Sequence, residues 1–198
     1  MFVTFEGLDG SGKSTQAQLL AEALRGEGRD VVTTREPGGT ELGEQVRELL
    51  LHQGDVAPWA EAALFAAARA QLVEEVIVPA LERGADVICD RYLDSSLAYQ
   101  GIARDLGLDR VLELNLHAVR GVLPDRTFLL LLDPAESARR VGGEGDRIER
   151  EDDAFRTRVD AAYRQLADVF PERIQTLDGA RPPREIAEEV LHELRQRS

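Results

Sequence analysis

The sequence predicts an α/β fold: a doubly wound, mostly parallel sheet of five strands with helices on both faces. Three observations predict it. Short β-type runs alternate with helical stretches along the chain, the pattern of βαβ units with right-handed crossovers. The run Phe128-Leu129-Leu130-Leu131-Leu132 is apolar on both faces, as a strand covered by helices on each side must be. Gly7, Arg35, Asp90 and Asp133 all fall just after strands, so they share the carboxyl edge where such sheets bind ligands.

The elements follow in order. Phe2-Val3-Thr4-Phe5 forms the first strand, stopped at Glu6-Gly7, and apolar spacing at Ala17, Leu19, Leu20, Ala23 and Leu24 makes 14–24 a helix. Val31-Val32-Thr33-Thr34 reads as the second strand, ended by Pro37-Gly38-Gly39, and helical spacing returns at Leu42, Val46, Leu49 and Leu50. Pro58 opens a helical stretch to about residue 83, within which Pro79 predicts a kink or break. Val87-Ile88-Cys89 is a short buried strand, 106–119 an amphipathic helix stopped by Gly121, and 128–132 the fourth strand. A long helix over 151–170, a last strand Ile174-Gln175-Thr176-Leu177 and a closing helix over 182–194 complete the chain. With no repeat, low-complexity tract or linker, residues 1–198 read as one domain, within the usual roughly 100–200 residues.

Composition narrows the function. Apolar residues make up 43 % and charged residues 31 %, a globular balance that excludes long disorder. No run approaches the roughly 18 apolar residues of a membrane span, and MFVTFEGLDG does not read as a signal peptide. The single cysteine, Cys89, excludes an intrachain disulfide and fits a reducing compartment; a cytoplasmic protein with no membrane partner is expected. Thirty-seven acids against 24 bases give a net charge of -13 without a basic run, which disfavours a nucleic-acid partner. A small phosphorylated ligand remains compatible, because a local arginine cluster acts within a Debye length of about 8 Å. Of the bases only one is a lysine, Lys13.

That lysine sits in a recognisable setting. Gly7-Leu8-Asp9-Gly10-Ser11-Gly12-Lys13-Ser14 matches G-x-x-x-x-G-K-[ST], with an apolar strand before it and a helix after it, and these residues with Thr15 are the expected ATP-binding set. Glycines let the backbone curl so that successive N–H groups point at phosphate oxygens, and the helix N-terminus adds its positive end. Lys13 reaches the outer phosphates and Ser14 offers its hydroxyl to Mg²⁺. The pattern would arise by chance in this composition roughly 0.0005 times. This is a P-loop NTPase fold, with ATP as the expected co-substrate and Mg²⁺ as its companion. A guanine-binding switch would need an N-K-x-D segment, and with Lys13 in the loop and Asn115 the only asparagine, none exists. A small-molecule kinase is the economical reading; a nucleotide-dependent binding module is the rival.

Three further segments bear on the acceptor: Arg35-Glu36-Pro37-Gly38-Gly39-Thr40 after the second strand, Phe65-Ala66-Ala67-Ala68-Arg69 on the long helix, and Asp90-Arg91-Tyr92-Leu93-Asp94-Ser95-Ser96-Leu97-Ala98-Tyr99-Gln100 after the third strand. Arg35 and Arg91 can fork onto a phosphate. Phe65 and Arg69, at i and i+4, share one helix face.

With R-E-P-G-G-T and D-R-Y-x-x-S-S-x-A-Y-Q together, the chain resembles the thymidylate kinase family over almost its whole length. The resemblance implies transfer of a phosphoryl group from ATP to dTMP, a doubly wound sheet with a mobile lid, and a homodimer. It implies that Asp90 holds Mg²⁺ through waters, that Phe65 stacks on the base and that Arg69 hydrogen-bonds a pyrimidine carbonyl. Ser96 matches a position facing the thymine, Tyr99 one that crowds the sugar where a ribose hydroxyl would lie, and Gln100 and Tyr163 belong to the same substrate set. Asp9 matches the carboxylate near the sugar 3′-hydroxyl and the acceptor phosphate.

Residues 138–150, with several glycines and arginines, read as a short lid. The resemblance to a D-R-x-E segment makes Arg147 the expected catalytic lid arginine, with Arg140 and Arg139 as the other choices. Elsewhere, Asp133 is a second magnesium candidate, while Cys89 and Trp59 are expected to be packing residues.

Overall fold

The computed structural model describes residues 1–142 and 145–196. Its core is a five-stranded, wholly parallel sheet in the order β2-β3-β1-β4-β5. The strands are β1 (Phe2–Gly7), β2 (Val31–Arg35), β3 (Asp86–Asp90), β4 (Arg126–Leu131) and β5 (Ile174–Asp178). The helices are α1 (Lys13–Gly26), α2 (Glu41–His52), α3 (Pro58–Leu72), α4 (Val78–Glu82), α5 (Leu93–Ser96), α6 (Leu108–Val119), α7 (Pro134–Val141), α8 (Asp153–Val169) and α9 (Pro183–Gln196). Every predicted strand is present, and the expected sheet is parallel throughout.

The period-2 alternation of the strands divides the core between the two faces of the sheet. Val3, Phe5, Ile88, Phe128, Leu130 and Leu177 pack with Leu20 and Leu24 of α1 and Ile186 and Val190 of α9. Phe2, Val87, Cys89 and Leu129 pack on the other face with α6, α8 and the stretch around Leu97. Each such side chain contributes about 1.5–3 kcal/mol by leaving water. One polar layer crosses the interior. Thr4 and Thr127, paired in the β1–β4 register, share a 2.8 Å hydroxyl bond, and Arg173 donates to both oxygens of Asp94 at 2.5 and 2.7 Å.

Several local features differ from the sequence expectation for identifiable reasons. Pro79 does not break its helix: a π-helical turn, Val73–Ile77, links α3 to α4 and removes the demand for a bond from the missing proline N–H. A second π-helical segment, Leu97–Ala103, continues α5. Its wider turns escape a search for 3.6-residue periodicity. Helix α7 also went unpredicted, because it is only eight residues long and buries only Ser137, with Pro134, Ala138 and Val141 as its short apolar row. Trp59 is 45 % exposed and does not pack in the core. No helix among the described residues is long and apolar enough to cross a membrane.

Candidate active site

The loop between β1 and α1 is shaped by its glycines. Gly12, at φ +99°, turns the chain into α1 in a left-handed conformation, and Gln16 N–H donates to Gly12 O at 3.0 Å to close the first helical bond. The amides of Lys13, Ser14 and Thr15 therefore precede the helical ladder and remain available to an anion. At Gly7 a side chain has no room: a Cβ there would stand 2.5 Å from Leu130 O. Leu8 is buried beneath the loop. Ser11 Oγ, buried as well, has no hydrogen-bond partner among the described residues.

Lys13 lies folded over this loop, donating to Leu8 O at 2.8 Å with Asp9 Oδ1 3.8 Å away. Burial, helped by the neighbouring Arg91 charge, lowers its pKa to about 8. Burial alone would raise the Asp9 carboxyl, but Arg91 and Lys13 outweigh it and hold it at about 2. Ser14 Oγ donates to Asp90 Oδ2. These two hard oxygens, beside a phosphate-shaped loop, suit Mg²⁺, which takes few protein ligands and keeps waters. Among the described residues no group of three or more His, Cys, Asp or Glu forms a metal cage.

Arg91 follows β3 with φ +69°, a backbone conformation that non-glycine residues seldom adopt. Its guanidinium donates to Asp9 Oδ1 at 2.5 Å and to Ser95 Oγ and Tyr163 Oη at 3.1 Å each, and lies over the Tyr99 ring at 5.5 Å. Glu6 anchors this arrangement from below. Its carboxylate accepts from Tyr92 N (2.8 Å), Ser95 N (3.2 Å), Ser95 Oγ (2.6 Å) and Tyr163 Oη (2.9 Å). Complete burial, then the charge of Asp94, push Glu6 up to about 7.

Two cavities meet at this point. One of about 500 Å³ runs along Gly10, Gly12, Lys13, Ser14 and Thr15 to Arg35, Asp90 and Arg140. The other, about 110 Å³, is walled by Phe65, Ser96, Tyr99 and Gln100. Asp9, Glu36, Arg47 and Arg91 line both. Arg35 sits on the rim, 57 % exposed, paired with Glu44 at 3.1 Å.

Four predicted site residues are placed elsewhere. Arg69 is 1 % exposed and does not line the second cavity. Its N–H groups go to Glu36 Oε2 (2.8 and 2.5 Å), Ser96 Oγ (3.0 Å), Tyr92 O (3.1 Å) and Asn115 Oδ1. A buried guanidinium must satisfy its five donors, and here the protein does so completely. Tyr163 is likewise behind the wall, edge-on to Tyr99 at 6.2 Å, rather than at the base cavity. Arg147 does not reach the loop: it donates to Leu50 O at 2.8 Å and to the buried Glu61 at 2.6 Å. Asp133, proposed as a metal ligand, instead caps α7, accepting from Ala135 N at 2.9 Å and Glu136 N at 3.2 Å.

Of the arginines in the expected lid, Arg140 approaches the loop, with Nη1 3.4 Å from Gly10 O and 3.3 Å from Gly179 O. Arg139 pairs with Glu136 on the surface. Gly143 and Glu144, central to the expected lid, lie outside the described residues. Sequence reasoning missed Glu6, Arg47 and Glu61. Glu61 was findable, since it precedes Phe65 and Arg69 at the same four-residue spacing on one stripe of α3.

A parallel sheet whose central strand feeds a phosphate-cradling loop, with an acid–arginine trough leading away from it, defines a P-loop kinase. The comparisons with known proteins narrow the class. The thymidylate kinase family profile matches residues 5–190. A thymidylate kinase of Leifsonia xyli is 54 % identical over 194 residues, covering 96 % of this chain and 92 % of the relative. One of Exiguobacterium is 50 % identical over 195 residues, with the same coverage of both chains, 96 % and 92 %. The crystal structure of a thymidylate kinase from Ehrlichia chaffeensis superposes with a TM-score of 0.81 at 36 % identity, covering 98 % of each chain. The chain belongs to the thymidylate kinase family and is a phosphotransferase.

Proposed function

We propose that the protein transfers the γ-phosphoryl group of ATP to dTMP, giving dTDP and ADP, as a step of dTTP synthesis in the cytoplasm, and that it works as a homodimer. The observation that carries this reading is the junction of the two cavities at Asp9 and Arg91. Donor and acceptor phosphates entering from opposite sides would meet there.

The transfer is a direct in-line displacement. A dTMP phosphate oxygen attacks the γ-phosphorus, and the bond from that phosphorus to the β,γ-bridging oxygen breaks. The attacking oxygen is ionised at neutral pH, so no strong base is needed. Loop amides and Lys13 hold the donor phosphates; Arg91 and Arg35 hold the acceptor phosphate and neutralise its charge, so the work of the protein is alignment and charge stabilisation. Ser14 and Asp90 would hold Mg²⁺, which, when bound, draws charge off the donor phosphates. Arg140, already over the loop, is the lid arginine best placed to follow the transferred group; Arg147 would have to leave Glu61 to do so.

The base would enter between Phe65 and the wall formed by Ser96, Tyr99 and Gln100. Tyr99 is nine-tenths buried and braced edge-on by Phe155 and Tyr163, each at 6.2 Å, so it cannot swing aside for a ribose hydroxyl. Replacing Tyr99 with Phe keeps that bulk, whereas Tyr99→Ala is expected to raise kcat/KM for UMP relative to dTMP about ten-fold or more. An unchanged UMP/dTMP ratio in Tyr99→Ala would sink this assignment.

A further inference from the structure

Glu61 lies outside the base cavity and takes no part in the transfer, yet it is one of the most heavily engaged carboxylates in the molecule. It is 1 % exposed, in the first turn of α3. Arg104 donates to Oε1 at 3.0 Å through Nε and to Oε2 at 3.1 Å through Nη2. Arg147 donates to Oε2 at 2.6 Å. The remaining bond comes from Gln100, whose Nε2 donates to Oε1 at 2.8 Å. Burial disfavours the charge of Glu61, but these hydrogen bonds from Arg104, Gln100 and Arg147 prevail and keep its pKa below the ordinary value.

The consequence concerns the polarity of Gln100. A free glutamine amide can present either end to a ligand, because rotation by half a turn exchanges donor for acceptor. An ionised carboxylate only accepts, so beside Glu61 the amide must turn its nitrogen inward. Gln100 is itself 1 % exposed and lines the base cavity, so the polar atom it offers there is its carbonyl oxygen. An acceptor at that point suits a ring N–H flanked by carbonyls, as in thymine and uracil. It opposes the bare N3 of cytosine, where two acceptors would face each other. Arg69 lies behind the cavity wall and donates to Ser96 Oγ at 3.0 Å, and Ser96 lines the cavity together with Gln100.

We infer that Glu61 is a specificity-positioning residue: by fixing the Gln100 amide with its oxygen toward the cavity, it selects acceptor bases that carry a ring N–H. The inference rests on the dTMP reading above. Arg104 and Arg147 hold the carboxylate in place. Since Arg147 lies in the 145–150 part of the expected lid, the same contact ties that part to base selection.

The test compares kcat/KM for dTMP and dCMP in wild type, Glu61→Gln, and the swap Glu61→Gln with Gln100→Glu. A glutamine at 61 can donate or accept, so the amide at 100 is released. The dTMP/dCMP ratio is expected to fall about ten-fold or more, mainly through a higher KM for dTMP with kcat little changed. The swap restores one carboxylate and one amide in reversed places and presents an acceptor to the base, so the ratio should return to within about three-fold of wild type. A purely structural role would depress both substrates together, and an unchanged ratio in folded Glu61→Gln overturns the inference. Should Glu61→Gln not fold, the Gln100 side-chain amide signal of ¹⁵N-labelled wild type, assigned through its loss in Gln100→Glu, decides. Slow hydrogen exchange of that amide supports the lock, and exchange at the rate of a free amide refutes it. Wild type that ignores dTMP altogether would refute the functional reading as well, whereas wild type using dTMP and dCMP equally would refute this inference alone.

Discussion

Lys13 and Glu6 bracket the site at the residue scale, one ammonium and one carboxylate both displaced toward neutrality by burial. Their signs differ. For Glu6 the folded value of about 7 lies above the ordinary 4.5, so the native state holds a proton that the unfolded chain has lost. Its contribution to stability is complete below about 4.5 and disappears as pH rises through 7. Chemical denaturation across pH 4.5–7 should show stability falling in wild type and a flatter profile in Glu6→Gln; parallel profiles would contradict the assignment. For Lys13 the folded value of about 8 lies below 10.5, so its burial cost is lifted as pH rises from 8 to 10.5. A polyphosphate restores the ammonium, so ATP binding at pH 8 is expected to take up about half a proton. Calorimetry in buffers of different ionisation heat reads this directly, and Lys13→Ala should abolish the uptake along with about 10²–10³-fold of kcat. The loop residues were legible because their types and spacing encode the chemistry locally. Arg47 and Glu6 were not, since an arginine on a helix and a glutamate ending a strand acquire meaning only from partners far along the chain.

At the element scale, periodicity decided what could be read. The strands and the helices at 13–26, 108–119, 153–169 and 183–196 announced themselves because one side or both of each is apolar at a regular interval. Bounds shifted by one or two residues at several ends, as fraying ends do. The stretch Leu97–Ala103, which carries Tyr99 and Gln100, was legible as a motif but not as a helix, because π-helical turns bury residues at an interval no standard template seeks. Two glycine substitutions test the strand-to-helix turn. Gly7→Ala forces a Cβ to 2.5 Å from a backbone carbonyl and should cost about 3 kcal/mol or more, a Tm drop of about 6–12 °C. Gly12→Ala meets nothing within 4 Å and bears only the cost of φ +99°, about 1–3 kcal/mol. Thermal melts that rank the two the other way would show that the loop, rather than the strand end, is the rigid part.

For the whole molecule, the strand order β2-β3-β1-β4-β5 explains why residues scattered from 9 to 140 converge. Central β1 delivers the loop, β3 beside it delivers Asp90 and Arg91, and β2 brings Arg35 to the rim. The fold class was legible from the alternation of strands and helices, with a strand apolar on both faces and candidate residues at the strand ends in support. The reach of the arginines was not, because each guanidinium settles where carboxylates and carbonyls leave room for its donors, as Arg69 and Arg147 do on Glu36 and Glu61. A net charge of -13 does not by itself oppose phosphate binding, because charges beyond a Debye length of about 8 Å are screened and Lys13, Arg35, Arg47, Arg91 and Arg140 line the larger cavity against Asp9, Glu36, Asp90 and Glu149. The measurement that tests the account most directly is ADP release with ATP·Mg²⁺ against dTMP, dUMP, dCMP, UMP, AMP and thymidine in parallel. Release that depends on dTMP, with UMP and AMP near background, is the predicted result. Release driven by thymidine, or release at one rate whatever acceptor is present, would contradict the acceptor site while leaving the phosphate loop intact.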